Sequence, residues 1–170
     1  MNIEKSAHRV FHEVAQTTAR TTMVDPDAMI AESEGEVGSD YWFNPCITTE
    51  YAERIINKAH RNGIETIVDL GAGDFRFSLF ADLYGFDVVG YEALLEPWKP
   101  FKQLLGESGV DARCRDYRND WEKLIQLDDV AYVAFGINNT LDTIPEKGIT
   151  VNGHIGDVDW YVDGNHMGKL

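Results

Sequence analysis

The sequence predicts an α/β protein with three layers, in which a mainly parallel sheet carries helices on both faces. Two observations lead to this prediction. From residue 65 onward, short apolar runs alternate with segments of helical periodicity, the pattern of parallel strands joined by right-handed crossovers. The chain has 170 residues and 44% hydrophobic side chains, enough to bury the core of one domain.

The amino-terminal part is predicted to be helical. An apolar stripe with helical spacing runs through the first twenty residues, and Asp25–Pro26 is typical of the start of a second helix. A polar loop, residues 32–40, leads into the aromatic patch at residues 41–45. That patch is predicted either to cover a ligand as a lid or to anchor the helices. We therefore divide the chain into a helical extension, 1–47, and an α/β domain, 48–170.

The α/β pattern begins with a helix capped by Thr48 or Thr49 and ended by Gly63. Strands are then predicted at residues 65–70, 87–91, 110–116 and 130–135, with helices at 75–84, 97–105 and 120–127. In the third strand, alternation predicts that Val110, Ala112 and Cys114 point inward.

The carboxyl end departs from this alternation. Residues 148–154 and 158–163 are predicted to pair as a short hairpin around the turn 155–157. Since only 35 residues follow the fourth strand, the far side of the sheet is expected to be short or absent.

The net charge of the chain limits the kinds of partner that it can bind. The net charge is −14, from 29 acidic and 15 basic side chains, and such a field repels nucleic-acid backbones. The tight basic group Arg113, Arg115 and Arg118 is better explained as solvated protection of an edge strand than as a phosphate track. We therefore expect a small-molecule or protein partner rather than nucleic acid. The acidity also suits saline surroundings, in which case it says little about partners.

Composition favours a cytoplasmic protein without a membrane span. No apolar stretch approaches the roughly 20 residues needed to cross a bilayer, and the first residues lack a secretory pattern. Cys46 and Cys114 have neither a disulfide framework nor metal-ligand spacing, so no metal site is predicted. His154 and His166 are expected to be surface residues.

The most informative motif is the run Asp69–Leu70–Gly71–Ala72–Gly73, followed nineteen residues after Gly73 by Glu92 at the end of the next apolar run. A strand that opens into a glycine-spaced turn, with a carboxylate ending the next strand, predicts an adenosine-containing ligand. A dinucleotide site would want a glycine where Arg76 stands and an apolar side chain in place of Asp69. The carboxylates suit S-adenosylmethionine better, because this ligand is cationic and has no phosphate.

Residues 66–92 resemble the first two motifs of the class I S-adenosylmethionine-dependent methyltransferases, a Rossmann-like family, and the resemblance extends over about residues 48–136. It implies that Asp69, Gly71 and Gly73 hold the methionine part of the cofactor and that Glu92 binds the ribose hydroxyls. By position it also implies that Asp116 and Tyr117 hold the adenine. Asp116 has the alternative role of capping the turn that follows it.

Two departures from the family leave the function open. Phe75 stands in place of the family's third glycine, and its ring must either turn into the core or crowd the cofactor. The carboxyl half is also shortened. The leading hypothesis is methyl transfer to an acceptor; the alternatives are a non-catalytic S-adenosylmethionine-binding or regulatory module and, less favoured, a dinucleotide-binding protein. Asn138 and Asn139 follow the fourth strand, where they either hydrogen-bond an acceptor or form a turn.

Overall fold

A computed structural model describes residues 2–22, 47–94, 98–136 and 141–170. Its helices are α1 (Ile3–Thr22), α2 (Thr49–Arg61), α3 (Arg76–Leu83), α4 (Lys102–Glu107) and α5 (Trp121–Leu124), with 3-10 turns at Lys99–Phe101 and Tyr117–Asp120. Its strands are β1 (Thr66–Leu70), β2 (Asp87–Tyr91), β3 (Asp111–Arg113), β4 (Val130–Phe135), β5 (Ile149–His154), β6 (Asp157–Val162) and β7 (Asn165–Lys169).

One sheet of seven strands, in the order β3-β2-β1-β4-β5-β6-β7, forms the centre of the protein. The first five strands in this order are parallel, and β6 and β7 are antiparallel additions. Strand β4 is buried along its whole length, as expected for a strand covered on both faces. The predicted α/β, Rossmann-like fold with a mainly parallel sheet is therefore confirmed.

In the described parts of the chain, helices cover the two faces unequally. On one face, α1, α2, α3 and α4 pack over a core that includes Ile67, Phe80 and Val133. On the other face, α5 contributes Leu124 to a smaller core with Val68 and Tyr132. Helix α1 belongs to the larger core, where Phe11 meets Phe80 edge to face with ring centroids 5.7 Å apart. Among the helices described, none is both long and apolar enough to span a bilayer.

The carboxyl end is more extensive than the sequence suggested. Strands β5 and β6 form the predicted hairpin, but β7 adds a third strand beside β6. The expectation that the far side of the sheet would be short or absent is therefore wrong for its strands, although residues 141–170 contain no helix. Strand β7 was missed because it is an edge strand with mostly exposed residues and no hydrophobic alternation.

The region around the third strand is shorter than predicted. Strand β3 pairs with β2 over only three residues, and Cys114 beyond it is exposed rather than inward-facing. The predicted helix at 120–127 is one α-helical turn after a 3-10 turn. An edge strand pairs with a single neighbour. The alternation of inward and outward side chains in β3 therefore ends at Arg113, where its pairing with β2 ends.

Candidate functional site

The glycine turn lies at the carboxyl edge of the sheet, after β1. Here the strand order changes direction, since β2 and β4 flank β1, and such a switch point is where ligands bind in open α/β sheets. Gly71 (φ 71°) and Gly73 (φ 62°) both have left-handed backbone conformations, which glycine adopts without strain. The Ala72 amide donates to the Tyr91 carbonyl oxygen at 2.7 Å and so fastens the turn to the end of β2.

Glu92 follows β2 and reaches back to this turn. One carboxylate oxygen accepts a hydrogen bond from the Gly73 amide at 2.9 Å, and the other accepts from the Leu94 amide at 3.1 Å. Burial raises the pKa of the Glu92 carboxyl, while its backbone donors act in the opposite direction. The structure thus brings together Gly73 and Glu92, two residues paired from the sequence.

Asp69 lies in β1 directly before the turn and is only 6% exposed. Its Oδ2 accepts a hydrogen bond from the Ser78 hydroxyl of α3 at 2.6 Å. Burial raises the pKa of Asp69 to about 7, the Ser78 hydrogen bond lowers it, and the negative charges of Glu92 and Asp74 raise it further. At neutral pH this side chain is therefore divided between its protonated and ionised forms.

The charges near the turn include a buried ion pair that the sequence did not predict. Asp74 accepts two hydrogen bonds from the Arg76 guanidinium through its Oδ2, from Nη2 at 2.6 Å and from Nε at 3.1 Å. The Thr18 hydroxyl of α1 donates to the same oxygen at 2.8 Å. The sequence could have indicated the pairing of Asp74 with Arg76. An aspartate two residues before an arginine can accept hydrogen bonds from both the side chain and the backbone amide of that arginine. Thr18 carried no such signal, since it is 56 residues away.

Phe75 turns into the core, the first of the two possibilities that the sequence left open. Its backbone is left-handed (φ 64°, ψ 19°), which directs the fully buried ring toward β2. The ring lies against Gly90 and meets Trp98 edge to face with centroids 5.6 Å apart. The residue that replaces the third glycine therefore adds an aromatic ring to the core beneath the turn.

Asp116 and Tyr117 make local contacts after β3. The Asp116 Oδ1 accepts from the Arg118 amide at 2.9 Å and from the Arg118 Nε at 3.1 Å, so Asp116 caps the 3-10 turn. Burial raises the pKa of the Tyr117 phenol, whose ring packs against Trp121. The capping alternative for Asp116 is thus seen directly. Asn138, Asn139 and the aromatic patch 41–45 lie outside the described residues.

Chemically, the turn is an acidic edge of the sheet with hydrogen-bond acceptors. Asp69, Asp74 and Glu92 supply three carboxyl groups, of which that of Asp74 already pairs with Arg76. Such a set suits an ammonium or sulfonium group together with ligand hydroxyls, whereas it repels a diphosphate.

Comparison with solved structures gives a weak structural likeness. No protein-family profile and no curated protein sequence matches the chain. A crystal structure of a SAM-dependent methyltransferase from Agrobacterium tumefaciens is similar, with 14% sequence identity and a TM-score of 0.40. The similarity covers 51% of this chain and 31% of that chain, so it spans less than a third of the neighbour's length.

Proposed function

We propose that the chain binds S-adenosylmethionine at the Gly71–Gly73 turn and transfers the methyl group to an acceptor. The observation that carries this proposal is the contact between Glu92 and the Gly73 amide. It puts a carboxylate with unshared lone pairs at the edge of the turn, where it can accept hydrogen bonds from the two hydroxyls of a ribose.

Asp69 supports a cationic ligand. Its carboxyl group is buried, with a pKa of about 7, so it holds a proton for part of the time in the free protein. A ligand ammonium close to Asp69 would favour the ionised form, because an opposite charge stabilises the carboxylate. Binding and ionisation of Asp69 would then reinforce each other.

Methyl transfer makes modest demands on the protein. A nucleophilic atom of the acceptor forms a bond to the methyl carbon while the carbon–sulfur bond breaks, so the sulfonium becomes a neutral thioether. An acceptor that carries a proton releases it to water. Since the positive sulfur already activates the carbon, holding donor and acceptor in line can supply much of the acceleration. We propose a small-molecule or protein acceptor, with Asn138 and Asn139 among its contacts.

The second candidate is a non-catalytic module that binds S-adenosylmethionine. It is favoured by the carboxyl end, where residues 141–170 supply three strands but no helix. Compared with a carboxyl end that also contains a helix, this arrangement leaves less protein beside β4 and β5 to enclose an acceptor.

Titration calorimetry with S-adenosylmethionine and with nicotinamide dinucleotides tests the ligand class. We expect only the first to bind, and Glu92→Ala to weaken its binding by about 1–3 kcal/mol, the scale for leaving buried polar partners unpaired. Glu122→Ala, which removes an exposed carboxylate from α5, is the matched control and should bind as the unmodified protein does. An unchanged affinity in Glu92→Ala, or preferred binding of a dinucleotide, would contradict the proposal.

Incubation with a methyl-labelled donor and acceptor pools separates the enzyme from the binding module. Incorporation of label that Glu92→Ala reduces supports the enzyme, whereas binding without incorporation into any pool supports the module.

A further inference from the structure

A cluster of metal-binding side chains lies away from the glycine turn, between the first turns of α1 and the middle of α2. Glu4 and His8 are four residues apart on α1 and so share a face of the helix. Glu53 of α2 faces them, with its Oε1 2.6 Å from the His8 Nε2. One ligand atom from each of the three side chains lies within 4.8 Å of the other two.

We propose that Glu4, His8 and Glu53 bind a divalent transition-metal ion, with zinc as the best match. One imidazole and two carboxylates form a donor set that zinc accepts, and imidazole disfavours magnesium and calcium, which prefer oxygen ligands. Three protein ligands leave a fourth coordination position for water. The proposal is independent of the methyl-donor site.

The geometry requires only a small adjustment. Ligand atoms about 2.1 Å from a tetrahedral zinc ion are roughly 3.4 Å from one another. The separations of up to 4.8 Å must therefore close by about 1.4 Å, whereas the 2.6 Å contact between the Glu53 Oε1 and the His8 Nε2 must open by about 0.8 Å. The carboxylates can supply this movement, since the Glu53 side chain is 40% exposed and Glu4 is exposed. His8 is held in place, because its ring packs edge to face on Phe80 with centroids 5.5 Å apart.

The local charge also favours a cation. The nearest arginines in sequence have their own partners, since Arg9 pairs with Glu13 and Arg54 pairs with Glu50. One imidazole cannot balance two carboxylates, whereas a divalent ion can.

A bound ion would link α1 to α2 across the protein surface. The sequence did not predict this site, because an acidic residue four positions before a histidine is ordinary in an exposed helix. Its third ligand comes from 45 residues further along the chain.

The test is a metal titration of tag-free protein freed of metal with a chelator. We expect one equivalent of zinc to bind by calorimetry, and one equivalent of cobalt to give the visible absorption of a low-symmetry site. Glu4→Gln, His8→Gln and Glu53→Gln should each raise the apparent zinc dissociation constant at least about 10- to 100-fold, the range known for loss of even an outer supporting group.

Two matched variants control for general electrostatic attraction. Glu13→Gln and Glu50→Gln each remove one exposed carboxylate from the same two helices, at positions that pair with arginine. Both should bind zinc with at most a small loss of affinity, since each also frees an exposed arginine. Equal weakening in these controls, or the absence of one-to-one binding in the unmodified protein, would overturn the proposal.

Thermal melting supplies a second measurement for any ligand variant that folds poorly. An ion bound only by the folded state raises the melting temperature. Zinc should therefore raise it in the unmodified protein and in both controls. Circular dichroism identifies which ligand variants are folded, and a zinc-dependent rise that persists in those variants would also overturn the proposal.

Discussion

Asp69 is the residue in which folding and the proposed function are most directly opposed. Its carboxyl group is buried and accepts a hydrogen bond from the Ser78 hydroxyl. Burial raises its pKa to about 7. In the unfolded chain the same group would titrate near 3.8. Between these two values the folded state keeps a proton that the unfolded state has lost. The contribution of Asp69 to stability therefore falls as the pH rises from about 4 to about 7.

Replacing Asp69 with asparagine should remove that pH dependence. We expect Asp69→Asn to raise the free energy of unfolding at pH 8 by a few kcal/mol, since each unit of pKa shift corresponds to about 1.4 kcal/mol. The same variant should bind S-adenosylmethionine more weakly. Urea unfolding at pH 4, 6 and 8 measures the first effect and calorimetry the second.

Asp87→Asn, an exposed change at the start of β2, is the control for Asp69→Asn. It should leave the fall in stability between pH 4 and pH 8 in place. A parallel pH dependence in Asp69→Asn and the unmodified protein would contradict the assignment.

Residues within one local motif were the most predictable part of the candidate site. Asp69, Gly71, Gly73 and Glu92 lie at one edge of the sheet because two adjacent parallel strands place their carboxyl ends side by side. Asp116 was ambiguous because ligand binding and turn capping call for the same residue at the same place. Asp74 has contacts that depend on Thr18 of a distant helix, which no local pattern records.

At the scale of elements, the junction of β1, α3 and β2 is fixed by Phe75. Its left-handed backbone starts α3, whose first amide donates to the Asp74 side chain, and its ring fills the space beside Gly90 of β2. The sequence predicted both strands and the helix, because their apolar patterns are regular. It left the direction of the Phe75 ring open, since that direction follows from backbone torsion angles rather than from periodicity.

Gly90→Ala should destabilise the protein by about 1–3 kcal/mol, as overpacking of a filled core does. A methyl group at this position would lie 2.5 Å from the Phe75 Cε1 and 2.9 Å from the Ser78 Oγ. The change therefore also disturbs the hydroxyl that donates to Asp69. Denaturant unfolding measures the loss. Gly90→Ala should cost less stability when it is introduced into Phe75→Leu than when it is introduced into the unmodified protein.

Gly106→Ala in α4 is the matched control, because no atom lies within 4 Å of the added methyl group. It should be neutral or slightly stabilising, given the higher helix propensity of alanine. Equal losses in Gly90→Ala and Gly106→Ala would show that Phe75 does not limit the space beside β2.

At the scale of the whole molecule, acidity is the dominant property. The chain carries 29 acidic against 15 basic side chains, so like charges repel one another across the folded surface. The described ion pairs are mostly exposed, and such pairs contribute little individually. Repulsion should therefore outweigh attraction.

Added salt is accordingly expected to stabilise the protein. The melting temperature should rise between 0.1 M and 1 M sodium chloride, because the screening length falls from about 10 Å to about 3 Å. Choline chloride should act similarly if screening is responsible, whereas an effect limited to sodium would indicate a bound ion. A melting temperature that falls with both salts would mean that ion pairs dominate instead.

Strands β1, β2 and β4 and the hairpin of β5 and β6 could be predicted from the sequence, because their residues have apolar patterns. The exposed edge strands could not be predicted as well: β3 is shorter than expected, and β7 is composed mainly of exposed residues. The unequal cover by the described helices arises partly from α1 and α2, which precede the first strand and pack on the same face as α3 and α4.

The hydrogen bond from Thr18 to Asp74 makes the shape of the glycine turn depend on a segment 56 residues upstream. Without α1, the Asp74 carboxylate would lose one of its donors, and the Phe80 ring would lose the cover that Phe11 provides. A fragment that begins at residue 48 would therefore lack both the hydroxyl that supports the residue after the glycine turn and the ring that covers Phe80.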